Sequence, residues 1–157
     1  MNEKYTVSLF GHRIIEDYLT VEAKLYELLR IIMQRNVELE FLVGRNGDLD
    51  LMAASVIRKL KKETGNENVF LTLVLPYDTA ELRNNSEAFE SYYDSIEICD
   101  SKNFKFAIVA RNHEMIDRSD MVVVYVKNET GGAYQALKYA EKNQKRIINL
   151  YHTQNKE

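Results

Sequence analysis

Cysteine is nearly missing from this chain: Cys99 stands alone among 157 residues. A single thiol excludes an intrachain disulfide and a cysteine-based zinc site, and predicts a reducing compartment. Proline also occurs only once, at Pro76. Neither GxGxxG nor GxxxxGK[ST] occurs, so the common dinucleotide and P-loop fingerprints are missing. There is no Ser/His/Asp spacing of the nucleophile-elbow kind and no cluster of metal ligands, so neither a metal nor a cofactor is expected. The charged start, Met1 to Lys4, leads directly into a strand-like run of six residues. That run is too short for a signal segment or a membrane span, and predicts a cytoplasmic protein with no membrane partner. Basic excess is lacking too: the net charge is −3. This argues against a broad nucleic-acid-binding surface, and the cluster Arg58, Lys59, Lys61 and Lys62 reads as a solvated helix face.

What is present is an ordinary globular composition, 45% hydrophobic and 29% charged, at a length that suits one domain over residues 1–157. Short apolar runs alternate with helical spacing, which predicts a Rossmann-like α/β fold: a mostly parallel sheet flanked by helices on both faces. Strands are expected at Tyr5 to Phe10, Glu38 to Val43, Val69 to Leu75, Met121 to Val126 and Arg146 to Leu150, with a short one at Ser95 to Ile98. Helices are expected from about Thr20 to Arg35, from Asp50 to Gly65, from Lys105 to Arg118 and from Gly131 to Lys142. Pro76 closes the third strand because it cannot extend a ladder. Periodicity weakens from Tyr77 to Lys105, and within it Tyr77 to Asn103 is expected to be the most mobile part and to border the pocket with Tyr92 and Tyr93. The polar tail from about Tyr151 is expected to fray.

In open parallel sheets, ligands sit beyond the carboxyl ends of the strands, at the switch in strand order. Three turns at such ends hold five of the six glycines: Gly11-His12-Arg13, Gly44 to Asp50 with Gly47, and Glu129-Thr130-Gly131-Gly132-Ala133. Backbone amides at a helix start, left accessible by a missing Cβ, are what a phosphate requires. Thr130-Gly131-Gly132 is therefore the leading phosphate site; the alternative is a plain connecting turn. Asp48 or Asp50 fits a helix N-cap, and Asp50 also fits an acceptor of ribose hydroxyls. Arg13 fits a phosphate clamp. His12 fits a general acid or a turn residue, while His113 and His152 read as surface residues.

These residues together resemble the SLOG superfamily, which groups Smf/DprA-like and Lonely-guy proteins, and within it the YpsA-like branch. The resemblance rests on Phe10-Gly11-His12-Arg13, Phe41-Leu42-Val43-Gly44 with Gly47 and Asp50, Ala110-Arg111-Asn112, Met115-Ile116, Ser119-Asp120, and Gly131-Gly132-Ala133-Tyr134 through Lys138-Tyr139-Ala140-Glu141. It implies a nucleotide-like ligand held at the Gly-Gly helix start. Lonely-guy enzymes cleave the N-glycosidic bond of nucleoside 5′-monophosphates with an arginine and with a glutamate in a PGGxGTxxE motif. Arg111 matches the arginine. Asn112, Thr130 and Tyr134 depart from the pattern, and Lys138 stands where the glutamate belongs. A lysine there has the wrong charge to assist an oxocarbenium-like transition state. Glu141, one turn later, could serve only on a rotated helix.

The expected function is thus a non-catalytic sensor or binding module for a nucleotide. The alternative is a phosphoribohydrolase with an altered catalytic group, and a third reading is a DprA-like single-strand DNA protein, disfavoured by the acidic balance. The expected ligand set is Gly11, His12, Arg13, Gly44, Gly47, Asp50, Arg111, Thr130, Gly131, Gly132, Ala133 and Tyr134. Arg111 is expected to be an exposed crevice residue in the early turns of its helix, dispensable for folding. The expected partners are a nucleotide-like small molecule and, by homodimerisation, a second copy of the chain; nucleic acid is not expected.

Overall fold

The computed structural model describes residues 3–99 and 104–153. Their elements run β1 (Lys4–Gly11), α1 (Tyr18–Ile32), β2 (Glu38–Val43), α2 (Asp48–Thr64), β3 (Val69–Leu75), α3 (Ala80–Asn84), α4 (Ser86–Tyr92), β4 (Ser95–Ile98), α5 (Phe104–Asp117), β5 (Met121–Tyr125), α6 (Gly132–Lys142), β6 (Arg146–Asn149) and α7 (Leu150–Thr153). The six strands form one parallel sheet in the order β4-β3-β2-β1-β5-β6. The expected α/β, Rossmann-like architecture is what the chain adopts.

Helices cover both faces, and this explains why the inner strands are apolar runs rather than alternating patterns. On one side α1 turns Val21, Leu25, Leu29 and Ile32 inward, α2 adds Met52, Val56, Ile57 and Leu60, and both pack on Val7, Leu9, Leu39 and Phe41. On the other, Met115 and Ile116 of α5 and Ala136 and Ala140 of α6 pack on Phe10, Leu42, Val122 and Val124. Gly65 ends α2 with φ +66°, a left-handed turn that its missing Cβ makes inexpensive.

Strand order reverses between β1 and β5, since the chain progresses outward from β1 to β4 and then crosses back through α5 to lie beside β1. Polar side chains fix that seam. Asp120 donates its amide to Thr6 O at 2.8 Å and accepts the Thr6 amide on Oδ2, also at 2.8 Å. The buried Ser8 hydroxyl bonds Ser119 Oγ and donates to Met115 O.

Three expectations are corrected. The Tyr77 to Lys105 segment contains two short helices, α3 and α4; Thr79 Oγ1 caps the first by accepting from the Leu82 amide at 3.1 Å. Such one- and two-turn helices are too short to show a helical period. Residues 100–103 of that segment lie outside the described residues. The tail does not fray at Tyr151: Leu150 is buried and opens α7, which packs on α1 and β5. Finally, the N-cap of α2 is Gly47, with no side-chain cap, so neither Asp48 nor Asp50 serves as one.

Candidate functional site

At the carboxyl edge of the β1/β5 seam lies a cavity of about 460 Å³. It is lined from four directions: Phe10 to Arg13 leave β1, Asn46 and Asp50 follow β2, Ile108, Arg111 and Asn112 project from α5, and Gly131 to Ala133 begin α6. Eight of the residues expected from the sequence are thereby brought together: Gly11, His12, Arg13, Asp50, Arg111, Gly131, Gly132 and Ala133. Gly44, Gly47, Thr130 and Tyr134 do not line it. Phe10, Asn46, Ile108 and Asn112 line it without having been singled out as ligand residues. Periodicity could have found Ile108, which lies three residues before Arg111 on the same helix and so shares its face.

Gly44 and Gly47 act beneath the surface. A Cβ on Gly44 would overlap Arg111 Nη1 and lie 3.0 Å from Asp50 Oδ2. Gly47 has φ +136°, and a Cβ there would lie 2.5 Å from Arg13 Cα. This closeness lets two loops lock together: the Asp48 amide donates to Arg13 O at 2.7 Å, and Asp48 Oδ2 accepts the Ile15 amide at 2.9 Å. Asp48 thus ties the β1–α1 loop to α2. Gly11 serves similar packing, since a Cβ would overlap Leu49 Cγ.

Arg111 departs most from expectation. It lies in the middle of α5 and is 6% exposed, so it is neither an early-turn residue nor an exposed one. Its Nη1 donates to Val74 O at 3.2 Å and its Nε to Asn112 Oδ1 at 2.9 Å. Burial draws the guanidinium below its ordinary value, and Asp50 opposes this. Asp50 is half-buried and accepts the Asn46 amide at 2.7 Å; burial raises its carboxyl above the usual carboxylate value, against the pull of that amide and of Arg111. A carboxylate and a guanidinium thus form the floor, each partly desolvated.

The opposite wall is an open set of donors. Gly131 has φ +96°, α6 begins at Gly132, and a Cβ on either glycine would find no atom within 4 Å. Among the described residues, the amides of Gly131, Gly132, Ala133 and Tyr134 donate to no protein carbonyl, the first α6 bond of this turn being Gln135 N to Gly131 O. The Arg13 guanidinium at the rim is exposed and has no protein partner among the described residues.

Other side chains lie elsewhere. Lys138 pairs with Glu141 at 3.1 Å on the exposed side of α6, so neither enters the cavity. His113 stacks on Tyr139 with ring centroids 3.6 Å apart. Tyr92 and Tyr93 do not border the main cavity; they line a separate hollow of about 300 Å³ with Arg45, Ala88 and Phe89. Tyr93 is buried and accepts from Arg45 Nη1 at 3.1 Å, while the Arg58 guanidinium covers Tyr92. Arg58 and Lys61 are therefore engaged with the 92–94 segment rather than wholly solvated.

No protein-family model and no curated protein sequence matches the chain. Solved structures do. DNA processing protein A (DprA) from Streptococcus pneumoniae superposes with a TM-score of 0.65 at 16% identity, over 91% of this chain and 49% of that one. DprA from Helicobacter pylori, a structure described as showing a single-stranded DNA binding mode, gives 0.62 at 18% identity, over 91% of this chain and 63% of that one. The chain thus spans about half to just under two thirds of the length of these relatives. The exclusion of nucleic acid as a partner does not stand beside a single-strand DNA binder of this fold. Net charge averages the whole surface, whereas a strand is held by local donors such as open amides and a few cations. What the chain shares with these two structures is the fold.

Proposed function

We propose that this chain is a non-catalytic binding or sensor module of the YpsA-like branch that holds a phosphate-bearing nucleotide or nucleotide derivative at the β1/β5 seam. The observation that carries this reading is the set of amides at Gly131 to Ala133 that have no carbonyl partner among the described residues, in a turn lining a cavity that Arg13 and Arg111 also line. Such amides, together with the positive end of the α6 dipole, favour an oxyanion. Asp50 and Asn46 supply an acceptor and an amide for ribose hydroxyls or a base edge. The binding reading is preferred to hydrolysis because the helix position that would bear a glutamate holds Lys138, paired outward with Glu141. A homodimer belongs to the same reading, checked by light scattering.

Native mass spectrometry of the purified protein, followed by denaturing extraction, tests the proposal. A copurifying nucleotide, or micromolar calorimetric binding of one member of a nucleoside monophosphate panel, is expected. No binding across the panel would overturn it, and release of free base with ribose 5-phosphate would replace it with the hydrolase.

A second reading is favoured by the likeness to Helicobacter pylori DprA: the phosphate belongs to single-stranded DNA. Fluorescence anisotropy with labelled oligothymidylate at 150 mM salt separates the two. Binding that weakens steeply with salt and is displaced by unlabelled oligonucleotide, not by mononucleotide, would establish the DNA reading.

A further inference from the structure

The loop that presents the open amides is held from outside itself. His12, the second residue of the β1 turn, points its Nε2 at two consecutive backbone amides of the β5–α6 loop, Lys127 N at 2.9 Å and Asn128 N at 3.1 Å. His12 N also donates to Tyr125 O at 3.3 Å, and its ring meets the Tyr125 ring edge-on at 6.2 Å. Two N–H donors converging on one nitrogen require it to be a lone pair, so the imidazole is neutral and carries its proton on Nδ1. From Asn128 only Glu129 and Thr130 separate this anchor from Gly131. A one-residue change in loop path there would redirect the amides of Gly131 to Ala133.

We propose that His12 is a proton-operated latch on the anion loop: unprotonated, it fixes the loop in its amide-presenting form, and protonation releases it, weakening anion binding at mildly acidic pH. This rests on the reading of Gly131 to Ala133 as the phosphate site. A protonated Nε2 would aim an N–H at two other N–H groups, and both interactions would turn repulsive. Burial already holds the imidazole below its ordinary value of 6.5. The charged and titratable groups around it are Arg13 on its own turn, Glu16 and Asp17 beyond it, Tyr125 of β5 and Lys127, which pairs with Glu16 at 3.3 Å. Tyr151 and His152 of α7 stand behind Tyr125, and Asp50 and Arg111 face across the cavity. Among the described residues no carboxylate forms an ion pair with His12, and Glu16 is held by Lys127, so protonation brings repulsion without a ready-made bridge. His12 here is a positioning residue: it acts on the ligand through the loop.

The probe is sulfate, whose charge is constant between pH 5 and pH 8, whereas a phosphate monoester titrates near 6. In two-dimensional NMR of the full chain without ligand, the Lys127, Asn128, Gly131 and Gly132 amides are expected to shift together, with a midpoint equal to that of the His12 ring protons and below 6.5. Sulfate affinity, read on the glycine amides, is expected to fall about tenfold from pH 7.5 to pH 5. His12→Gln places an amide oxygen near the position of Nε2, which accepts but does not titrate. That variant should lose the pH dependence, its sulfate affinity changing by less than about twofold between pH 7.5 and pH 5 whatever its level at pH 7.5. Loop amides that ignore the His12 titration, or an unchanged pH profile in His12→Gln, would overturn the latch. Amides that follow His12 while sulfate binds at no pH would uphold the latch and remove the anion site instead.

Discussion

Arg111 and Asp50 flank the space that a Cβ on Gly44 would occupy: it would overlap Arg111 Nη1 and lie 3.0 Å from Asp50 Oδ2. Opposite charges from α5 and from the first turn of α2 are thus brought together by an atom missing from the end of β2. Gly44→Ala is expected to cost roughly 1–3 kcal/mol by forcing the guanidinium aside. Urea denaturation should show a lower midpoint at unchanged slope. In the double variant with Arg111→Ala the two costs should be less than additive, because the clash is gone. Simple additivity would mean that Gly44 acts through something other than Arg111.

Arg111→Ala itself should destabilise the fold, because the side chain is buried and bonds Val74 O and Asn112 Oδ1. Orphaning those two acceptors is worth about 1–3 kcal/mol. The same change should weaken nucleotide binding about ten- to a hundredfold. Binding is to be measured by calorimetry at a temperature where circular dichroism shows the variant folded. Full stability in the variant would contradict the buried geometry, and full affinity would contradict the assigned role.

Gly131 and Gly132 should separate stability from binding. Gly131 has φ +96°, so Gly131→Ala should cost about 1 kcal/mol of backbone strain although its Cβ would touch nothing. Gly132 is the first residue of α6 and has no positive φ, so Gly132→Ala should leave the melting temperature unchanged or slightly higher. Each substitution adds a methyl group to a turn that lines the cavity, so each variant should bind the ligand at least about tenfold more weakly. A Gly132→Ala protein with undiminished affinity would remove this turn from the site.

Stability should carry a signature of His12. Its folded-state value lies below the ordinary 6.5, so the unfolded chain takes up this proton first as pH falls. The stabilisation from neutral His12 is therefore complete above pH 6.5 and is lost as pH drops through the lower folded value. Urea midpoints of wild type should decline between pH 7 and pH 5 more steeply than those of His12→Gln. Parallel profiles would show that the remaining histidines and the carboxylates account for the whole decline.

Periodicity and breakers made the frame legible: Glu38–Val43, Val69–Leu75 and Ser95–Ile98 are strands as read, because a run bounded by Gly, Pro or Asp is a local signal. The glycine-marked turns were legible for the same reason, and the parallel order then had to place them at one edge. Tertiary structure alone decided which of their residues face the cavity and which hold it up. Gly44 and Gly47 make room for Arg111 and Arg13, Asp48 ties two loops, and His12 accepts amides more than a hundred residues away. Arg111 looked like a surface residue because α5 mixes polar and apolar positions, and its burial depends on β3 and on Gly44 at the end of β2, which lie against it. The short helices α3 and α4 were hidden likewise, since a single turn has no period to read and is fixed by contacts such as Arg45 to Tyr93 and Arg58 to Tyr92. Local chemistry is written along the chain, whereas the partner of a buried charge is set by which distant backbone the fold brings within hydrogen-bond reach.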